Sequence, residues 1–170
     1  MIGVTINTSG AAKSSPFAGS DVSSWESSRV GIAHLAGYRF AGGRRTIAHW
    51  ENFLLTEACG GPSLADGMAH PVHLFHVPIE GAGVTIADLF ALAEAEGPDR
   101  VGLHSYDWEW LSPLREDVDY GCEGEIVAAE RRPGVGSANP FDELVFAIEL
   151  SDGDETVARV TNTWHIWRTA

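Results

Sequence analysis

The chain has 170 residues, of which 44% are hydrophobic and 21% charged, with a formal net charge of −13. That is ordinary globular composition, and the length suits one domain with a real core rather than two. The acidic balance argues against nucleic acid and against anionic membrane surfaces as partners, while leaving room for an anionic ligand held by a local cluster of arginines.

Residues 8–24 are rich in Ser, Gly and Ala and contain Pro16, so they read as a loop or arm. The first helix is expected over residues 46–58, with Thr46 as its N-cap. Ile47, Trp50, Phe53, Leu54 and Ala58 form its apolar stripe. Gly60, Gly61 and Pro62 end it. The segment 70–78 is bracketed by Pro71 and Pro78, which allow a turn or two of helix or an extended stretch. A second helix is expected over 86–96. Thr85 and Asp88 have the spacing of a capping box, and Leu89, Leu92 and Ala93 make its stripe.

Strands follow. Residues 100–111 form the first, and 112–114 break it. Residues 118–131 form the second, with imperfect alternation. After a loop over 133–140, Leu144, Phe146, Ile148 and Leu150 alternate with Glu143, Val145, Ala147 and Glu149 as in a half-buried strand. A turn containing the Asp152-Gly153 step leads into the last strand. That strand puts Ala158, Val160, Trp164 and Ile166 on one face and Arg159, Thr161, Thr163 and His165 on the other. Helices first and a run of antiparallel strands afterwards is an α+β arrangement. No internal repeat is visible.

The two cysteines, Cys59 and Cys122, make neither a metal spacing nor a disulfide framework. Free thiols in a reducing cytoplasm are expected. Met1 to Thr5 lack the basic and apolar regions of a signal peptide. No apolar run approaches the roughly 18 residues needed to cross a bilayer. Cytoplasmic localisation is therefore expected.

Several segments together resemble the MaoC-like (R)-specific enoyl-CoA hydratases and dehydratases. They are Gly37-Tyr38-Arg39-Phe40 with Arg45-Thr46-Ile47, the helix through Asn52-Phe53-Leu54-Leu55-Thr56, Trp110 to Asp117, and Val157 to Trp164. The resemblance spans roughly residues 37–168 and lies in order and spacing more than in identity. It implies a single hot-dog domain over 37–170, with a long central helix wrapped by an antiparallel β-sheet, preceded by an N-terminal arm over 1–36. It also implies a homodimer or a heteromer with another hot-dog subunit, and an acyl thioester of coenzyme A or a carrier protein as substrate. No cofactor is implied.

The family's catalytic loop follows the helix in a pattern close to Asp-x-Asn-Pro-x-His-x-Asp. Here Pro62 and Asp66 align with its proline and last aspartate. The catalytic aspartate position reads Cys59, the asparagine Gly61 and the histidine Leu64. Leu64 cannot move a proton, and Cys59 at a helix C-terminus is disfavoured as a thiolate. Asp66 and His70 lie four residues apart, near the family's aspartate–histidine spacing but displaced along the loop, and are the candidate catalytic pair. The alternative is a solvated turn aspartate and a histidine bonded to a nearby carbonyl.

Other residues are weighed the same way. His70, His73 and His76 do not share one tight helical face, so a metal site is disfavoured. Trp108, Trp110, Trp164 and Trp167 either line a pocket or pack in core and interface. Asp107 and Glu109 make one strand face acidic. Arg44, Arg45, Arg131 and Arg132 are the candidate sites for coenzyme A phosphates, with solvated surface as the alternative. Glu51 and Glu57 are where a thioesterase of this fold would place its carboxylate. Three functions follow as expectations. One is a hydro-lyase with a relocated pair. The second is a non-catalytic subunit of a heteromeric dehydratase. The third is a repurposed enzyme, thioesterase-like or acyl-modifying.

Overall fold

The computed structural model describes residues 31–62, 64–134 and 139–168. The expected loop over 8–24, and most of the expected arm over 1–36, lie outside these residues. The end of that arm packs inward: Ile32 and Leu35 are buried in the core.

Among the described residues, five strands form one antiparallel sheet: β1 (Gly43–Thr46), β2 (Val101–Trp110), β3 (Asp119–Arg132), β4 (Phe141–Asp152) and β5 (Glu155–Trp167). Their order is β1-β3-β4-β5-β2. β4 has the clearest alternation. Asp142, Leu144, Phe146, Ile148 and Leu150 point inward, and every residue between them is half-exposed. β5 answers with Ala158, Val160, Asn162, Trp164 and Ile166 on the same face. The hairpin between them closes on the Asp152–Glu155 pair, with Gly153 at φ +60°. The irregular pattern of β3 has a local cause. A bulge between Ile126 and Ala128 inserts one residue, so inward positions pass from Tyr120, Cys122 and Ile126 to Ala129.

Short elements cover the inner face of the sheet. They are the 3₁₀ turns Ala33–Leu35 and Pro71–Phe75, and helices α2 (Val77–Gly81) and α3 (Ile86–Leu92). The capping box at the start of α3 is complete: the Asp88 N–H donates to Thr85 Oγ1, and the Thr85 N–H donates to Asp88 Oδ2. Leu89 and Ala93 of the expected stripe are fully buried and Leu92 is half-buried, and the helix ends at Leu92 rather than at residue 96. Phe90 meets Trp164 edge-on.

The first helix departs from expectation. α1 runs His49–Ala58, shorter than 46–58, and Ala48 rather than Thr46 is its N-cap. Its buried residues are Asn52 and Thr56, whereas Trp50, Phe53 and Leu54 are exposed. The predicted stripe is real, but it faces away from the domain, and only Ile47, just before the helix, reaches the core. The inner surface of α1 is polar because it packs on backbone and on charged side chains rather than on the sheet.

Candidate active site

At the C-terminus of α1 the chain turns sharply. Cys59 caps the helix, Gly60 adopts φ +65°, and Pro62 follows. The loop then returns along the helix and is pinned at Met68, which bridges Arg115, and at Ala69, whose N–H donates to Leu114 O. The turn before β3 is tied on both sides. The Glu116 N–H donates to Gly67 O, and the Asp117 N–H donates to Ile47 O. Three chain segments thus meet beside the polar face of α1.

Asn52 joins them. Its Nδ2 donates to Met68 O at 2.9 Å and to Glu116 Oε1 at 2.6 Å, and its Oδ1 accepts the His70 N–H at 2.8 Å. Only 4% of Asn52 is exposed. The second carboxylate oxygen of Glu116 lies 2.9 Å from His49 Nδ1. The hydrogen bonds from Asn52 and then His49 hold the Glu116 carboxyl below its ordinary range. The same carboxylate raises His49 above an ordinary imidazole.

These residues line a cavity of about 360 Å³, with Phe53, Thr56, Glu57, Leu64, Asp66 and Met68 among its other walls. It combines an apolar wall with histidine and carboxylate groups, the composition expected of a small-molecule site.

The sequence-derived candidates distribute unevenly around it. Asp66 is exposed and on the cavity wall. His70 caps the 3₁₀ turn Pro71–Phe75, its Nδ1 accepting the Val72 N–H at 3.1 Å. Its other ring nitrogen faces Gly61. His70 is not among the cavity-lining residues, and no hydrogen bond joins it to Asp66. His73 is fully buried with both ring nitrogens unpartnered, and burial lowers its pKa. Among the described residues no group of His, Cys, Asp or Glu is arranged to hold a metal.

The candidate phosphate-binding arginines all meet carboxylates. Arg44 pairs with Asp119, Arg45 with Glu51 and Glu80, Arg131 with Asp142, and Arg132 with Glu130 and Glu143. Glu51 is committed to Arg45, while Glu57 lies on the cavity wall. The tryptophans do not form one ring. Trp164 is in the core, and Trp108, Trp110 and Trp167 are exposed. Cys59 and Cys122 are free thiols, and burial pushes Cys122 up to about 11.

Sequence reasoning missed His49, Asn52 and Glu116 as a unit. Asn52 and Glu116 both fall in segments that carry the family resemblance. No spacing rule joins two residues on opposite sides of α2 and α3.

No protein-family model matches the chain, and no curated protein matches it in sequence. Solved structures do. The ChsH1-ChsH2 complex from Mycobacterium tuberculosis matches with TM-score 0.63 and 15% identity, over 88% of this chain and 94% of that one. The chain has the hot-dog fold. The HadBC (3R-hydroxyacyl-ACP dehydratase) complex from the same organism matches at TM-score 0.59 and 10% identity, over 77% and 96% of the two chains. The R-hydratase PhaJ1 from Pseudomonas aeruginosa matches at TM-score 0.53 and 15% identity, over 83% and 88%. At these identities the likeness is one of fold. Among the described residues no helix is long and apolar enough to cross a membrane.

Proposed function

We propose that this hot-dog chain is a MaoC-like subunit that binds an acyl thioester, of coenzyme A or of a carrier protein, and acts as a hydratase or dehydratase. The observation that carries this reading is the cavity at the end of α1. It occupies the place where the family resemblance sets the catalytic loop, and it holds His49, Asp66 and Glu116 against Phe53, Leu64 and Met68.

The outward face of α1 supports a second hot-dog subunit as partner. Trp50, Phe53 and Leu54 are 66%, 57% and 57% exposed on one helix. Covering each such side chain is worth on the order of 2 kcal/mol. β2 ends the sheet and carries the exposed Leu103, Trp108 and Trp110. A long apolar edge of that kind is normally paired or covered. Phe53 belongs both to this face and to the cavity wall, so the partner that covers α1 also closes the acyl site. The ChsH1-ChsH2 and HadBC chains are themselves parts of complexes, which supports the heteromeric form of this reading.

Hydration of crotonyl-CoA, followed as loss of enoyl absorbance, tests the activity. Turnover by the purified chain that falls in Asp66→Asn and His70→Ala supports the relocated pair. Turnover that survives both removes that pair and keeps the hydratase. Absence of turnover with retained acyl-CoA binding favours the non-catalytic subunit. A thioesterase has one specific observation in its favour, Glu57 on the cavity wall, and free thiol released from crotonyl-CoA would identify it.

A further inference from the structure

We infer that His49 is the proton-transfer group of this cavity and that Glu116 is its positioning residue, an assignment that rests on the acyl-thioester reading above. The geometry carries it. Both oxygens of Glu116 are engaged, one by Asn52 Nδ2 at 2.6 Å and the other by His49 Nδ1 at 2.9 Å. The Glu116 side chain is 11% exposed, and the backbone on each side of it is bonded to the loop and to the start of α1. An ionised carboxylate only accepts hydrogen bonds, so the proton between the pair sits on Nδ1. That fixes the tautomer and leaves Nε2 as the reactive nitrogen. Among the described residues Nε2 has no other partner. His49 and Glu116 both line the cavity.

The His49 side chain is 77% exposed, so this is a surface histidine, and what sets the pair apart is its carboxylate, 11% exposed and fixed in place. Here the carboxylate is held by a buried amide that is itself held by Met68 O and the His70 N–H. Rigid support behind a histidine is what general acid–base catalysis requires. The charged groups around His49 are Glu116, Asp117 and Asp66, all acidic, and all favour the imidazolium.

In the hydration direction, His49 Nε2 takes a proton from water as the water oxygen bonds to the β-carbon of the enoyl thioester. The π pair of the double bond moves onto the α-carbon. The imidazolium then returns the proton there, and His49 ends as it began. Dehydration is the reverse.

The test compares the parent chain, His49→Ala and Glu116→Gln in crotonyl-CoA hydration across pH. It adds NMR of the His49 ring with the unreactive thioether S-butyl-CoA. His49→Ala is expected to lower kcat/KM by about 100-fold or more. Glu116→Gln is expected to move the imidazole limb of the pH profile to lower pH, a change that simple loosening of the fold does not produce. S-butyl-CoA is expected to shift the His49 ring resonances. Parent turnover that His49→Ala retains overturns the assignment and leaves the hydratase reading standing. If the parent binds S-butyl-CoA without turnover, the chain is the non-catalytic subunit and the assignment is overturned, as it also is if S-butyl-CoA leaves the His49 ring unmoved. If the parent neither turns over nor binds, the acyl-thioester reading falls and this assignment falls with it.

Discussion

Asn52 Nδ2 donates to Glu116 Oε1 at 2.6 Å, and this bond couples the polar face of α1 to the turn that precedes β3. The same amide also satisfies Met68 O and the His70 N–H, so one side chain organises three segments. Asn52→Leu keeps a similar size but leaves those groups without their partner. Each buried polar group left unpaired costs about 1–3 kcal/mol. The substitution should lower stability by about 2–3 kcal/mol in urea denaturation. A loss under about 0.5 kcal/mol would mean that water replaces the amide, and that Asn52 does not organise the site.

His73 gives the protein a pH dependence of known sign. It is fully buried with neither ring nitrogen hydrogen-bonded, and burial holds its pKa below 6.5, with Glu51 opposing the shift and His70, His76 and Arg45 adding to it. The unfolded chain binds the proton more readily than the folded one, so stability is complete above the unfolded value and falls as pH drops through it. Urea midpoints measured from pH 7.5 down to 5.5 should decline more steeply for the parent than for His73→Leu. Parallel curves would show that His73 does not titrate in this window.

Asp142 is a buried ionic hub in the otherwise apolar inner face of β4. It is fully buried, and its carboxylate pairs with both Arg131 and Arg168. Arg168 also donates to Ala93 O, which ties the last residues of the described chain to the end of α3. Removing one member of a buried ion pair costs about 3–5 kcal/mol. Asp142→Ala should approach that loss in chemical denaturation. A change below about 1 kcal/mol would mean that the arginines reach solvent without it.

The apolar face of α1 predicts association. Trp50→Ser with Phe53→Ser should shift the chain toward monomer in sedimentation velocity at micromolar concentration, with the far-ultraviolet circular dichroism unchanged. A parent chain that sediments as a monomer would remove the argument for a partner on this face.

Much of the sheet was legible in the sequence because its signals are local. The alternation of β4 and β5 and the Thr85–Asp88 box depend only on neighbours in the chain. The imperfect pattern of β3 was also informative, since the bulge after Ile126 accounts for it. The orientation of α1 was not legible. A helical stripe of Trp50, Phe53 and Leu54 specifies that the face must be covered, and does not specify whether the chain's own sheet or another chain covers it. Of the proposed site, only one part was singled out from the sequence. The loop after α1 lines the candidate cavity, with Asp66 on its wall, whereas His49 and Glu116 are 67 residues apart and meet only because the turn before β3 folds back onto Ile47 and Gly67.

The central claim is that an acyl thioester binds in the cavity between α1, the loop after it and Glu116. Hydrogen exchange of the assembled protein with and without S-butyl-CoA tests this most directly. The account predicts binding, with exchange slowed at residues 49–58, 64–69 and 115–117. Binding with protection confined to other segments, or no binding at all, would contradict it.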